Sequence, residues 1–132
     1  MRSISSSLCR PQILLVEDDE MLLEVMAEAL KREGYTFVTA RSGDDAIRLA
    51  YDLSPAIVLL DVDLPGQSGL LVAAKLKVTK PSPKVIFVTT LPRGQSDRLA
   101  AFIRVDGVLH KPFPVRKLLS TLQQMLGVAQ AA

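Results

Sequence analysis

The chain has 132 residues, 48% hydrophobic and 23% charged, which suits one globular core and leaves no room for a second folded domain. A formal net charge of +2, with the basic residues scattered, leaves no nucleic-acid footprint and argues against a built-in DNA-binding module. The single cysteine, Cys9, excludes an internal disulfide or a cysteine-built metal site. No run approaches the roughly 18 apolar residues of a membrane span, and the opening MRSISSSLCRP has no apolar core, so a cytoplasmic location is expected.

In chain order, residues 1–11 read as a flexible arm, 12–127 as one folded domain and 128–132 as a frayed tail. The first strand is Gln12 to Val16, apolar after its first residue and ending in Glu17, Asp18 and Asp19. Leu22, Val25, Met26, Ala29 and Leu30 follow at helical spacing, with Gly34 placed as a C-terminal stop. Thr36 to Ala40 is a more polar strand, suited to a sheet edge. Ser42 then caps a helix with Asp45 three residues on, a capping-box pattern, and Ala46, Leu49, Ala50 and Leu53 form its inward stripe. The third strand, Ala56 to Leu60, is apolar without a break, so both of its faces are expected to be covered, and it delivers Asp61 into a turn closed by Pro65 and Gly66.

Ser68 and Gly69 open a third helix, with Leu70, Leu71, Ala74 and Val78 predicted inward and Pro81 and Pro83 ending it. Lys84 to Thr90 is the fourth strand. A loop holding Pro92 and Gly94 leads to a short helix that carries Leu99, Phe102 and Ile103 and stops at Gly107. Val108 to His110 is the fifth strand, and the last helix points Val115, Leu118, Leu119, Leu122, Met125 and Leu126 inward. This alternation predicts an α/β fold: a doubly wound, five-stranded parallel sheet in the flavodoxin-like order 2-1-3-4-5, with helices on both faces.

Four strands carry a polar group at the carboxyl end, the edge where ligands bind in open α/β sheets: Glu17 and Asp18, then Asp61, then Thr89 and Thr90, then Lys111. Clustered carboxylates repel, and hard oxygen donors at the mouth of a sheet suit Mg²⁺. A lysine and a hydroxyl facing one carboxylate make a receptor for a dianionic group on Asp61, since aspartate can accept a phosphoryl group. Each residue also has a plainer reading. Asp18 and Asp19 could serve as helix caps, Lys111 as a solvated loop lysine, and Thr89 and Thr90 as ordinary strand residues. His110, beside Lys111, is turned to the other face by strand alternation and is taken as non-catalytic.

LLVEDD, LLDVDLPGQSG, FVTT and HKPF, in this order and spacing, resemble the response-regulator receiver domain of two-component signalling, here a stand-alone, single-domain regulator. The match covers Gln12 to Leu126. The resemblance implies that Asp61 accepts a phosphoryl group from a phosphohistidine of a histidine kinase or histidine phosphotransfer protein. It implies that Glu17, Asp18, Asp61 and the backbone carbonyl of Asp63 hold Mg²⁺, that Thr89 turns its hydroxyl toward the phosphoryl group, and that Lys111 pairs with it. Such a domain is a phospho-accepting switch or relay intermediate, catalysing only its own phosphorylation and dephosphorylation. With no effector domain following, output is expected through a downstream protein target. Val108 departs from the pattern, which commonly has Tyr or Phe there, and Thr90 replaces the usual Ala or Gly. Two other readings compete: a phosphorylation-independent adaptor on the same fold, and a haloacid-dehalogenase-type phosphohydrolase suggested by Asp61-Val62-Asp63.

Overall fold

The computed structural model describes residues 10–126; most of the arm, with Cys9, and the predicted tail lie outside the described residues. Five parallel strands alternate with five helices: β1 Ile13–Val16, α1 Glu20–Arg32, β2 Phe37–Ala40, α2 Gly43–Leu53, β3 Ile57–Asp61, α3 Gly69–Lys77, β4 Lys84–Thr89, α4 Arg93–Ile103, β5 Gly107–His110 and α5 Val115–Leu126. The sheet order is β2-β1-β3-β4-β5, as predicted. Register aligns Val16 with Leu60, Asp61 with Val88, and Thr89 with His110, so the carboxyl ends share one edge.

Strand alternation sorts the apolar residues into two cores. Leu14, Val16, Val58, Leu60, Val85 and Phe87 face α2 and α3, where Ala46, Ala50, Val72, Ala73 and Leu76 meet them. Ile13, Leu15, Ile57, Leu59, Ile86, Val88 and Leu109 face α1 and α5, against Met26, Leu30, Leu118 and Leu122. Each of those four helix residues is at most 1% exposed, and burial of a side chain of this size contributes about 1.5–3 kcal/mol. The polar edge strand β2 is only partly covered, consistent with its composition.

The caps follow the sequence. Asp19 accepts from the Met21 and Leu22 amides at the start of α1, and Gly34 takes a positive φ of 82° just past its end. Ser42 accepts from the Asp45 amide at 3.2 Å, but the Asp45 carboxylate turns to Arg48 at 3.3 Å, so only half of the capping box forms.

Several helix faces differ from the predicted stripes. In α3 the buried residues are Gly69, Val72, Ala73 and Leu76, while Leu71 and Val78 are exposed. Apolar residues on nearly every side of 70–74 leave the phase undetermined by periodicity, and Gly69 sets it instead. A Cβ there would lie 2.4 Å from the Asp61 carbonyl oxygen and 2.6 Å from Val62 Cα, so α3 packs with its glycine directly on the turn after β3. Val25 in α1 and Val115 in α5 are also exposed. The helix α4 is not short: it begins at Arg93, takes Gly94 into its first turn and ends at Ile103, with Arg104 in the left-handed region. Phe102 is 86% exposed, because Leu99 and Ile103 form the face that reaches the core. Thr90 lies outside β4 and is exposed.

Candidate functional site

Each polar group at the carboxyl edge is placed by the strand before it. The strand β1 runs straight into Glu17, which is 1% exposed, and Asp61 is the last residue of β3 at 2%. Asp18, one residue beyond Glu17, is exposed. Ligand oxygens of Glu17, Asp18 and Asp61 all lie within 4.8 Å of one another. Lys111, held by its amide on the Thr89 carbonyl at 2.8 Å, reaches back over the edge. Its Nζ lies 3.2 Å from Asp61 Oδ2 and 3.4 Å from Glu17 Oε1. The structure thus brings together four of the predicted residues from three strand ends.

The turn after β3 adds backbone donors. The Asp63 amide donates to Asp61 Oδ1 at 2.9 Å, fixing the carboxylate's rotation, while the Asp63 side chain is exposed. Among the described residues the carboxylate of this second acid of the Asp-x-Asp sequence makes no hydrogen bond or ion pair with the buried cluster. The Asp19 amide donates to Glu17 Oε2 at 3.2 Å. Thr89 is fully buried, and its hydroxyl accepts from the Leu91 amide at 3.0 Å. Among the described residues the hydroxyl has no hydrogen bond to Asp61, so Thr89 stands at the site with its side chain engaged by the loop before α4.

Burial pushes the Glu17 carboxyl from 4.5 up to about 7, reinforced by the neighbouring Asp61 carboxylate and only partly opposed by the Asp19 amide and Lys111. Burial pulls the Lys111 ammonium down, but the Asp61 and Glu17 charges outweigh it, and its net shift is upward. One ammonium does not satisfy this cluster. Glu17 Oε1 lies within ion-pair distance of Lys111 yet has no hydrogen-bond partner among the described residues, because the distance is met and the directionality is not. A buried carboxylate oxygen without a partner is costly, and a cation beside three carboxylates removes that cost. Oxygen donors of this kind suit a hard divalent ion such as Mg²⁺, which keeps several waters and needs only one or two carboxylates. The donor set fits.

Two contacts near the site have no signature in the sequence. Arg41, just past β2, donates to the Asp18 carbonyl at 3.3 Å and approaches Glu20 at 4.0 Å, tying the edge strand to the start of α1. His110 Nε2 lies 2.8 Å from the hydroxyl of buried Ser96 in α4. Both join residues distant in sequence and depend on how the elements dock.

Known structures share this fold. A CheY-like response regulator receiver domain from Methanospirillum hungatei JF-1 is 24% identical, with 89% of this chain and 94% of that chain covered and a TM-score of 0.82. The signal receiver domain of a putative Luxo repressor protein from Vibrio parahaemolyticus is 26% identical, with 89% and 91% covered and a TM-score of 0.83. The BeF3-activated receiver domain of RstA from Klebsiella pneumoniae is 26% identical, with 87% and 97% covered and a TM-score of 0.81. Residues 13–123 match the response regulator receiver domain family, and the chain, with its carboxylates and lysine gathered at one end of a five-stranded parallel sheet, belongs to that family of two-component signalling domains.

Proposed function

We propose that Asp61 accepts a phosphoryl group from a phosphohistidine of a partner histidine kinase or histidine phosphotransfer protein, in a Mg²⁺-dependent reaction, and that the signal leaves through contact with a downstream protein. The observation that carries this reading is the burial of Asp61 with Lys111 Nζ at 3.2 Å, beside the unpartnered oxygen of Glu17. In the transfer, a carboxylate oxygen of Asp61 attacks phosphorus, the P–N bond of the phosphohistidine breaks, and its electron pair stays on the imidazole. The Asp63 amide holds Oδ1 in place, so the attacking carboxylate is oriented before the donor arrives. Lys111, already at the acceptor, meets the charge of the incoming phosphoryl oxygens. Thr89, whose oxygen accepts from the Leu91 amide, would turn to donate its hydroxyl proton to a phosphoryl oxygen. Glu17, Asp18 and Asp61, with the backbone carbonyl of Asp63, would hold Mg²⁺, which would supply charge neutralisation for the transferring phosphoryl group.

The test is intact-mass measurement after incubation with acetyl phosphate and Mg²⁺. One acid-stable, base-labile phosphoryl group is expected, absent in Asp61→Asn and absent in excess chelator. Undiminished labelling of Asp61→Asn would refute the assignment. Beryllofluoride, which activated the Klebsiella pneumoniae receiver domain, serves as a non-covalent stand-in for the phosphoryl group.

A further inference from the structure

The only buried residue of α4 is a serine. Ser96 is 1% exposed, its hydroxyl donates to the Arg93 carbonyl at 3.1 Å, and it lies 2.8 Å from His110 Nε2. The hydroxyl and Nε2 make a hydrogen bond whichever of the two supplies the proton. His110, the chain's only histidine, closes β5, pairs in register with Thr89 and precedes Lys111. A single hydrogen bond therefore joins the first turn of α4 to the strand end that carries the site's ammonium.

The contacts around it form a closed path. The N-terminus of α4 has no side-chain cap, Pro92 standing in the cap position. The Ser96 amide donates to the Pro92 carbonyl at 2.9 Å, and the Leu91 amide donates to Thr89 Oγ1 at 3.0 Å. The three residues 90–92 are thus pinned between Thr89 at one end and Ser96 on His110 at the other. A rotation that carries Thr89 Oγ1 away from the loop gives up the Leu91 amide, and the loop is held at its far end by the first turn of α4. Val108, two residues earlier on β5, is short and stiff at χ1, so it offers no moving part.

We infer that the Ser96–His110 hydrogen bond is a latch that keeps Thr89 turned away from Asp61 and opens when Asp61 is phosphorylated. His110 and Ser96 are positioning residues, and the inference rests on Asp61 being the acceptor. A contact made in only one of two states biases the other by its own free energy, so breaking the latch tightens binding of anything that selects the open state. For one neutral hydrogen bond the effect is about fivefold.

The experiment is calorimetric titration with beryllofluoride in saturating Mg²⁺. His110→Leu is expected to bind about three- to tenfold more tightly than the parent, while His110→Gln, whose amide can donate from a similar position, stays close to the parent. Ser96→Ala breaks the same bond from the helix side and answers the question if His110→Leu fails to fold. A purely structural role would lower the melting temperature and leave the affinity where it was. Equal or weaker binding in both His110→Leu and Ser96→Ala overturns the latch, as does a Gln variant that behaves like Leu. Failure of the parent to bind, or equal binding by Asp61→Asn, overturns the Asp61 assignment itself and the latch with it.

Discussion

Glu17 is buried against Asp61 with one oxygen unpartnered and its carboxyl raised from 4.5 to about 7. Without a divalent cation, the folded chain therefore keeps a proton that the unfolded chain releases near 4.5. Because the native state binds more protons in that window, stability falls as pH rises from about 4.5 to about 7 and is level above it. In chelator, urea melts at pH 5, 6, 7 and 8 should show a fall of roughly 1–3 kcal/mol, the lower part of what a shift of this size implies. Glu17→Gln should remove the slope and be the more stable protein at pH 8. A slope of the opposite sign, or one unchanged by the substitution, contradicts the electrostatic account. Lys111→Met works the other way. It strips the buried pair of its nearest counter-charge and should cost about 1–2 kcal/mol at pH 8, less than for a fully buried pair because the lysine side chain is 21% exposed. Asp18 is exposed, so Asp18→Asn should change metal-free stability by under about 0.5 kcal/mol.

At the level of elements, α3 meets the site through a glycine position with no room for a side chain. Gly69→Ala places a methyl group against three backbone atoms, the nearest the Asp61 carbonyl oxygen at 2.4 Å, and backbone cannot swing aside as a side chain can. A loss of roughly 2–4 kcal/mol is expected, read as a lower urea midpoint, and a neutral result would mean that α3 can lift without cost. Phe102→Ser, on the exposed face of α4, should stay within about 0.5 kcal/mol. These two residues also show where the sequence was readable. The strands were legible because an unbroken run such as Ile57 to Leu60 admits only a doubly covered strand, and four motifs at four strand ends placed Glu17, Asp61 and Lys111 on one edge. The inward face of α3 was not legible, since a helix apolar on most sides has no preferred phase until something outside it, here the Gly69 contact, chooses one. The size of Phe102 does not place it in the core, because α4 meets the core through Leu99 and Ile103. His110 was rightly set apart from the carboxylates, but its partner Ser96 lies fourteen residues away on another element and only docking reveals it.

For the molecule as a whole, a cation that binds the folded state and not the unfolded one should raise the melting temperature in proportion to the logarithm of its concentration. Above the dissociation constant, each tenfold increase in Mg²⁺ adds about 1.4 kcal/mol. Glu17→Gln and Asp61→Asn should flatten that dependence, and a dependence equal to the parent's would place the ion elsewhere. The last consequence comes from β3. It is hydrogen-bonded to a strand on each side and buried at all five positions, with Asp61 as its final residue. On the proposed reading, a group attached to Asp61 is mounted on a buried strand held on both sides, and displacement is expected to pass to the more exposed margin formed by the loop before α4 and by α4 itself. Load would then enter at the fulcrum and motion appear at the rim. If the proposed signal leaves through α4, exchanging its exposed face should change what the domain binds while leaving the rate of the proposed transfer to Asp61 as it was.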